Sequence, residues 1–470
     1  MANVVVTGAG PIGLSTAMLL AKDGHTVTVL ERDPAPVATP DEAWDSWERR
    51  GVNQFRLPHA LLARFRQEAE TELPEVLDEL AAAGGLVENF IDTIPDEFKG
   101  GSLPGDERFA QVTARRPVVE SVVARVANAT PGVTVRRGVS VEGLLTGTPA
   151  APGVPQVTGV RTDGDEELTC DLVVDAAGRR SPAAAWLEAA GARRPVDELE
   201  DSGFMYYGRH FRSPTGEHPV YIGPPLQHYE SLSALTIASD NGTWAVVLVT
   251  SAKDADVRPL RDNERYTAVV QLLPLAAHWL DGEPLEDVRT IAKIEDRRRR
   301  YVVDGRPVAT GIVPVGDAFA CTNPSLGRGI SIGMVHAVAL RDHLRVGPLD
   351  DPVAFATGWA EVTAATAEPW YDSTLRFDRH RLAQCEAQAA GVPYEPEDPF
   401  WEQFNRFNFA SAQDHELQRA TFDAGMVFRT PEQTLADPRL AAKVDELGAG
   451  WRDEPRLGPS RQELLAAIAG

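Results

Sequence analysis

The chain has 470 residues, a formal net charge of −23 and three cysteines. This length suggests two or three domains with a large core, and the acidity argues against nucleic acid or an anionic membrane as the main partner. The cysteines have no metal-ligand spacing and no disulfide framework, so we expect no metal site and a reducing cytoplasm. No stretch is long and apolar enough to cross a membrane.

The N-terminal segment combines a β-branched strand, a glycine turn and a helix. Residues 3–7 read N-V-V-V-T, and G-A-G-P-I-G follows, with glycines at Gly8, Gly10 and Gly13. Gly8 permits the tight turn, Gly10 leaves room for a pyrophosphate, and Gly13 lets helix and strand approach closely. The helix N-terminus offers N–H groups and a positive dipole end to phosphates. This pattern predicts a dinucleotide-binding unit.

A carboxylate ends the second predicted strand. Glu31 lies 18 positions after Gly13. There it can accept hydrogen bonds from both hydroxyls of an adenosine ribose, and its charge disfavours a 2′-phosphate. The ligand predicted from these residues is FAD or NAD, not NADP.

The next segments predict two helices and a small β meander. Apolar spacing favours a helical stretch that opens at Pro58 or His59. A second amphipathic helix is predicted over 113–129. Strands at 141–145 and 157–162 have the pattern of a meander.

An antiparallel sheet is expected over about residues 196 to 290. The segment F-M-Y-Y-G-R-H-F-R alternates like a strand, and D-N-G between two apolar runs is typical of a hairpin. By period-2 alternation, Tyr206 and His210 share one face of the strand, while Tyr207 and Phe211 share the other. Only one of these sets can face a ligand. The candidate pocket residues are Tyr206, Tyr207, His210, Phe211, Tyr221 and Trp244.

A second glycine-bearing turn follows at Gly316. A strand delivers Asp317 to this turn, and the segment A-C-T-N-P-S-L-G-R-G-I leads into a helix. Pro324, Gly327 and Gly329 permit close backbone approach there. The helix N-terminus would favour negative charge in front of it, such as the charge around N1 of a reduced flavin.

These blocks, in this order, resemble the FAD-dependent monooxygenases of the aromatic-hydroxylase type and their epoxidase and prenyl-reductase relatives. Between them, T-A-R-R-P-V-V-E-S-V-V resembles the helix that presents an arginine to the flavin's ribityl-phosphate. The resemblance covers roughly residues 1 to 345. It implies an FAD site formed by Gly8, Gly10, Pro11, Ile12, Gly13, Glu31, Arg32, Arg56, Arg116, Asp317, Pro324, Gly327, Gly329 and Ile330.

Two departures from the family pattern bear on the electron donor and the flavin turn. In D-A-A-G-R-R-S, Ala177 stands where the family usually has an aspartate, and Ala320 replaces a histidine of the second turn. The first departure weakens the case for direct NADH or NADPH use. It leaves room for a separate flavin reductase.

The resemblance implies an α/β fold with a Rossmann-like FAD-binding domain of the glutathione-reductase type. We expect this domain over 1–195, with the small meander, and its completion over 291–345. An inserted antiparallel β-sheet substrate domain is expected over 196–290, and a helical C-terminal region over 346–470.

The implied reaction is a monooxygenation that fits secondary metabolism. Molecular oxygen adds to reduced flavin at C4a, and this peroxide delivers one oxygen atom to a sizeable organic substrate by hydroxylation or epoxidation. Because the cofactor carries this chemistry, no Ser/His/Asp or metal cluster is needed. Two rivals stay open: an FAD-dependent dehydrogenase or double-bond reductase without oxygen insertion, and a non-redox flavin-containing cyclase or binding protein.

The catalytic residues remain open at this point. His210 is a candidate base for a phenolic substrate, His59 a candidate neighbour of the flavin, and Tyr206 a candidate pocket residue. Ordinary packing is the alternative for each. A monomer and a homodimer are both compatible with the sequence.

Three further features have both a structural and a functional interpretation. Asp175 either replaces the missing aspartate or caps its strand. The arginine run 297–300 is more simply a solvated charge run than an anion site. Aromatic residues of the C-terminal part, including Trp401 and Phe404, either form a helical core, which we favour, or cover the active site or a dimer face.

Overall fold

The computed structural model describes residues 1–49, 51–52, 54–347, 349–455 and 457–470. Its elements are numbered here in chain order. The strands are β1 (Asn3–Thr7), β2 (Thr26–Glu31), β3 (Pro58–Leu61), β4 (Leu86–Glu88), β5 (Gln111–Arg115), β6 (Val133–Arg137), β7 (Val141–Thr146), β8 (Val157–Thr162), β9 (Glu167–Thr169), β10 (Leu172–Asp175), β11 (Val196–Asp201), β12 (Phe204–Arg212), β13 (Leu226–Tyr229), β14 (Leu232–Ala238), β15 (Thr243–Ser251), β16 (Glu283–Pro284), β17 (Arg289–Ile291), β18 (Glu295–Arg300), β19 (Val302–Val303), β20 (Arg306–Pro307), β21 (Ile312–Pro314) and β22 (Ala320–Cys321). The helices are α1 (Pro11–Lys22), α2 (Ala43–Ser46), α3 (Ala63–Glu72), α4 (Pro74–Ala82), α5 (Asp96–Lys99), α6 (Arg116–Ala129), α7 (Ala183–Ala189), α8 (Asn263–Gln271), α9 (Gly329–Val346), α10 (Pro352–Thr366), α11 (Glu368–Ala389), α12 (Pro399–Ser411), α13 (His415–Gly425), α14 (Pro431–Leu435), α15 (Pro438–Leu447) and α16 (Arg461–Ala469).

Within the described chain, the central sheet has five parallel strands in the order β21-β10-β1-β2-β6. Val4 and Val6 of β1 point into one apolar cluster, which α1, α6 and α9 complete, whereas Val5 points into a second cluster on the other face. A parallel sheet is covered on both faces, so its strands are continuous apolar runs. The sheet therefore places the carboxyl ends of β1, β10 and β21 side by side.

The second large sheet is antiparallel, in the order β13-β14-β15-β12-β16. The hairpin predicted at D-N-G is confirmed, because Ala238 pairs with Trp244 across that turn and Asn241 adopts a φ of +52°. The predicted alternation along β12 is also confirmed. Tyr207 and Phe211 lie in a core with α8 and α16, while Tyr206 lies on the opposite face.

Two predicted helix boundaries were wrong. Residues 58–61 form β3, and the helix begins only at Ala63. Residues 111–115 form β5, and the next helix begins at Arg116. Pro117 explains the second boundary, since its ring would clash with the carbonyl four residues earlier if the helix extended further back. The two strands pair with each other, so each stabilises the other.

The chain after α9 is mainly helical, from α10 to α16. The predicted α/β fold, with an antiparallel sheet inserted between parts of the parallel one and a helical C-terminal segment, is confirmed. Among the described residues, no helix combines the length and apolar character needed to span a bilayer.

Candidate functional site

The turn between β1 and α1 leaves no room for side chains at two of its glycines. Gly8 has a φ of +101°, and a Cβ there would lie 2.6 Å from the carbonyl oxygen of Ala176. A Cβ on Gly13 would lie 2.1 Å from the Gly8 carbonyl oxygen. At Gly10, however, a Cβ would meet no atom of the described chain within 4 Å. Gly8 and Gly13 therefore hold the unit together, while Gly10 borders open space.

Helix α1 directs its N-terminus at this open space. Pro11 is its first residue, and no side chain of the described residues caps it. Uncapped N–H groups and the helix dipole together favour an anion such as a phosphate. Pro11 and Ile12 both line the cavity in front of the turn.

A buried ionic network surrounds the carboxylate at the end of β2. Glu31 Oε2 accepts hydrogen bonds from the Ala9 N–H at 2.9 Å and from Arg49 Nη2 at 2.6 Å. Arg49 also donates to Glu120 at 2.5 Å, and Arg116 Nε donates to the same carboxylate at 2.6 Å. Burial opposes ionisation of Glu120, but Arg116 and Arg49 hold its pKa below the ordinary value.

Arg49 is a site residue that the sequence analysis missed. It lies in a charged segment whose composition is typical of a solvated loop, yet its side chain is only 6% exposed. Its carboxylate partners are 18 and 71 positions away in the chain. Such distant pairs leave no local pattern in a sequence. Arg32, which was predicted, lines the cavity near Arg49.

Arg116 and His59 line the middle of the cavity. Arg116 is the first residue of α6. His59 Nδ1 lies 3.0 Å from the Leu57 carbonyl oxygen, so Nδ1 carries the proton and Nε2 has a free lone pair. Burial and the charge of Arg116 lower the pKa of His59 to about 3. The imidazole is therefore neutral near pH 7 and can accept a hydrogen bond there.

The second turn connects β21 to α9. Burial raises the pKa of Asp317, and Arg116 and Arg179 act in the opposite direction. Gly327 has a φ of +65°, and a Cβ added to it or to Gly329 would meet no atom of the described residues within 4 Å. All three of Asp317, Gly327 and Gly329 line the same cavity as the first turn.

Ile12 packs between the two turns. A Cβ on Gly316 would lie 3.1 Å from the Ile12 side chain, and one on Gly333 of α9 would lie 2.6 Å from it. Pro324 and Ile330 line the cavity beside this contact. The close packing of α1 on α9 therefore directs two helix N-termini into one space.

A buried polar cluster supports the second turn. Tyr206 Oη donates to Asn323 Oδ1 at 2.6 Å, and the Asn323 N–H donates to Asp296 at 2.6 Å. Ser325 Oγ donates to Asp378 at 2.7 Å. Burial raises the pKa of Asp296 to about 6 and that of Asp378 to about 8. Tyr206 thereby links the antiparallel sheet to the turn.

Five predicted site or pocket residues lie outside the cavity lining of the described chain. His210 Nδ1 lies 2.8 Å from Glu286 Oε1, and its ring packs 4.7 Å from that of Trp44. The Arg56 guanidinium donates to the backbone carbonyls of Trp44 and Trp47. Tyr207, Phe211 and Trp244 belong to the core on the far face of the sheet, whereas Tyr221 lines the cavity.

The structure also decides between the paired interpretations of Asp175 and of the arginine run. Asp175 accepts hydrogen bonds from Ser181 Oγ at 2.6 Å and the Ala177 N–H at 3.1 Å, so it caps the end of β10. The interpretation of 297–300 as a solvated charge run was wrong. Arg298, for example, lies opposite Glu198 on β11 and contacts it at 2.5 Å, which is a stabilising cross-strand pair.

The two turns open into one cavity of about 1800 Å³. One end is formed by the first turn and the Glu31–Arg49 network. The middle is formed by the second turn, and the other end by the near face of the antiparallel sheet together with α11, α12 and α13. The predicted residues that line it are Gly8, Gly10, Pro11, Ile12, Gly13, Glu31, Arg32, His59, Arg116, Tyr206, Tyr221, Asp317, Pro324, Gly327, Gly329 and Ile330.

The residues present fit an FAD molecule. Gly10, Gly327 and Gly329 border space in which a Cβ would meet nothing of the described chain, as backbone that a ligand approaches closely should. Two helix N-termini face the cavity, and arginines stand beside them at Arg49, Arg116 and Arg179. An extended dinucleotide diphosphate has the charge that these groups favour.

The fold and the paired turns define an FAD-binding protein. Residues 1–346 match the family described as FAD binding domain, and the chain belongs to that family. The predicted FAD-binding family is confirmed over residues 1–346, and the resemblance to FAD-dependent monooxygenases is confirmed at the level of the fold.

The chain is similar in sequence to two known proteins and in fold to a third. The chain is 32% identical over 427 residues to Protein Rv3254 of Mycobacterium tuberculosis, covering 86% of this chain and 85% of that protein. It is 24% identical over 344 residues to digeranylgeranylglycerophospholipid reductase of Haloferax volcanii, covering 70% of this chain and 72% of that one. The structure of PqsL, described as a probable FAD-dependent monooxygenase from Pseudomonas aeruginosa, superposes with a TM-score of 0.59 at 18% identity, over 83% of this chain and 99% of PqsL. The last match establishes a shared fold.

Proposed function

We propose that the chain is an FAD-dependent monooxygenase that inserts one oxygen atom into a sizeable organic substrate, by hydroxylation or epoxidation. The observation that carries this proposal is the single cavity of about 1800 Å³, which joins the two turns to the near face of the antiparallel sheet. A site for one small molecule ordinarily has about 300–1,000 Å³. The cavity therefore has room for a dinucleotide and an organic substrate together.

In this proposal the first turn and α1 bind the pyrophosphate, and Glu31 binds the adenosine ribose. Arg116 and Asp317 bind the ribityl and phosphate region. The second turn, from Pro324 to Ile330, would hold the flavin ring. Bound and reduced FAD supplies the activation of molecular oxygen, and the protein supplies orientation and a dry site.

The residues around the second turn orient the substrate. Tyr206 is 4% exposed, and its hydroxyl donates to Asn323, so the oxygen lone pairs remain available to a substrate hydroxyl. His59 is neutral and can accept a second hydrogen bond through Nε2. Catalytic roles for these residues are part of the proposal. His210 faces Trp44 and Glu286 instead, so we assign it a packing role.

We further propose that the electrons come from NADH or NADPH, directly or through a separate flavin reductase. The test is anaerobic mixing of the purified protein with each nucleotide, followed by admission of oxygen. Bleaching of the flavin and its reoxidation by oxygen are expected for a self-contained enzyme. A flavin that stays oxidised calls for the same experiment with a flavin reductase added. Failure of the reduced protein to react with oxygen would contradict a monooxygenase.

The second candidate function is reduction of a carbon–carbon double bond without oxygen insertion. The observation that favours it is the likeness to an archaeal digeranylgeranylglycerophospholipid reductase along 70% of the chain. Turnover under oxygen-18 distinguishes the two. A monooxygenase product carries one heavy oxygen atom, whereas the product of a reductase carries none and forms without oxygen.

A further inference from the structure

One end of the cavity is built by the C-terminal helices and the antiparallel sheet. We call it the C-terminal compartment and define it by His228, Leu235, Phe377, Arg381, Trp401 and Phe404, all of which line the cavity. Strands β13 and β14 supply one wall, α11 a second and α12 a third. In the proposed enzyme this compartment is the part of the cavity beyond the flavin turn.

The wall from α11 and α12 is aromatic. Trp401 and Phe404 stack with ring centroids 5.8 Å apart and an interplanar angle of 15°, and Phe377 lies 5.2 Å from Phe404. The His228 ring of β13 continues this aromatic surface, since its centroid lies 5.8 Å from that of Phe377, and its Nδ1 lies 2.9 Å from Ser233 Oγ. A contiguous surface of flat, rigid rings suits the face of a flat aromatic ligand.

A buried arginine interrupts these apolar walls. Arg381 is 3% exposed. Its Nη2 donates to the carbonyl oxygens of Tyr229 at 2.9 Å and Leu232 at 2.6 Å, and its Nε donates to Ser233 Oγ at 3.1 Å. Nη1 donates to Gln384. These contacts use four of the five N–H groups of a guanidinium.

The charge of Arg381 has no counter-ion in the described part of the chain. Each of its hydrogen-bond acceptors is a neutral oxygen. Burial lowers its pKa. By contrast Arg379, two positions away on α11, is exposed and donates to the Glu200 carboxylate at 2.9 Å. A buried cation without an anion is costly, and a ligand that brings the anion relieves that cost.

We propose that the C-terminal compartment takes an extended aromatic acid, whose rings lie against Trp401 and Phe404 and whose anionic oxygen accepts the remaining Arg381 N–H. The acid is a carboxylate or an enolate of similar charge. This inference rests on the proposed function and narrows its sizeable organic substrate to one chemical class.

The test compares two fluorescent probes of the same shape, 1-pyrenecarboxylate and 1-pyrenemethanol, by equilibrium titration of the FAD-loaded protein. A charge-assisted hydrogen bond should make the carboxylate bind about tenfold or more tightly than the alcohol. This comparison on the unmodified protein needs no variant. Equal affinities for the two probes would overturn the proposal.

Variants then assign the preference to one side chain. Arg381→Gln should bring the ratio of the two affinities close to one, whereas Arg381→Lys, which keeps the charge, should retain several-fold preference for the acid. Arg379→Gln is the matched control and should leave the ratio unchanged. Phe404→Ala should weaken the binding of both probes by a similar factor. An acid preference that survives Arg381→Gln in a protein with unchanged thermal unfolding would also overturn the proposal.

The two proposals fail in different ways. If the flavin does not react with oxygen, the proposed function is wrong, but the probe affinities still decide the ligand class of the compartment. If the probes bind equally well, the flavin chemistry remains intact and only the ligand class is wrong.

Discussion

Gly10 and Gly13 lie three residues apart in one turn but have different surroundings. A Cβ on Gly13 would overlap the Gly8 carbonyl oxygen, whereas a Cβ on Gly10 would enter open space within the described chain. A bound ligand therefore explains the glycine at Gly10, and packing explains the glycine at Gly13. This difference can be measured with two alanine substitutions.

Gly13→Ala should lower the free energy of unfolding of the FAD-free chain by about 1–3 kcal/mol or more, since the overlap is with rigid backbone. Gly10→Ala should leave that free energy unchanged and weaken FAD binding by about tenfold or more. Urea unfolding and FAD titration of both variants check this. Normal FAD affinity in Gly10→Ala would show that the phosphate does not approach this backbone.

Asp378 provides a pH-dependent prediction. Burial raises its pKa to about 8 in the folded chain, whereas an unfolded aspartate ionises near about 3.9. The folded state therefore keeps a proton that the unfolded state releases between about pH 4 and pH 8, so this group reduces stability as the pH rises. Asp378→Asn should gain stability relative to the unmodified protein from about pH 5 to pH 8.

Urea unfolding of Asp378→Asn and of the unmodified protein, at about pH 5 and about pH 8, measures this difference in stability. Asp372→Asn, an exposed acid on the same helix, is the control and should show no such trend. A constant difference between Asp378→Asn and the unmodified protein would mean that Asp378 is ionised in the folded chain.

Site residues with a local pattern were predictable, and those held by distant partners were not. The glycines of the first turn follow from their spacing, and Asp317 and Arg116 from the family resemblance of the segments around them. Arg49 and Arg381 depend on partners 71 and 152 positions away, respectively, so nothing in their own segments marks them. Such residues become visible only when the fold brings the segments together.

At the scale of elements, one buried ion pair ties the antiparallel sheet to the FAD-binding part. Asp240, in the turn between β14 and β15, accepts from the Arg115 N–H at 2.6 Å and from Arg115 Nη2 at 2.6 Å. The side chains are 0% and 7% exposed, respectively. Arg115 directly precedes Arg116, so this pair positions the start of α6 against the sheet.

Asp240→Asn should cost about 3–5 kcal/mol of unfolding free energy, because Arg115 stays buried without a counter-charge. It should also weaken FAD binding through Arg116. Chemical unfolding and FAD titration measure the two effects. Glu166→Gln, which removes the exposed Glu166–Arg136 pair, is the control and should resemble the unmodified protein. An unfolding free energy of Asp240→Asn equal to that of the control would contradict this role.

The helix predicted from residue 58 shows where local patterns mislead. Only the part of the apolar pattern that follows residue 62 belongs to α3, which begins at Ala63, while residues 58–61 gain their backbone hydrogen bonds from β5. Strand pairing with a segment more than fifty residues away overrides helical spacing. By contrast, the D-N-G hairpin is local in sequence, and its prediction was correct.

At the scale of the whole molecule, the C-terminal helices have two roles that the sequence analysis treated as alternatives. Phe407 is 1% exposed and belongs to a helical core, as favoured, yet it also lines the cavity together with Trp401 and Phe404 of the same helix. Which face of α12 meets the cavity depends on how three parts of the chain pack. The sequence of α12 alone is compatible with either face of the helix meeting the cavity.

The central claim is that this cavity holds FAD, and the most direct measurement is an equilibrium titration of the flavin-free protein with FAD, with NAD as the comparison ligand. The account predicts saturation at one FAD per chain, much weaker binding of NAD, and reduced FAD affinity in Gly10→Ala. A protein that folds normally but takes up no FAD would contradict the account.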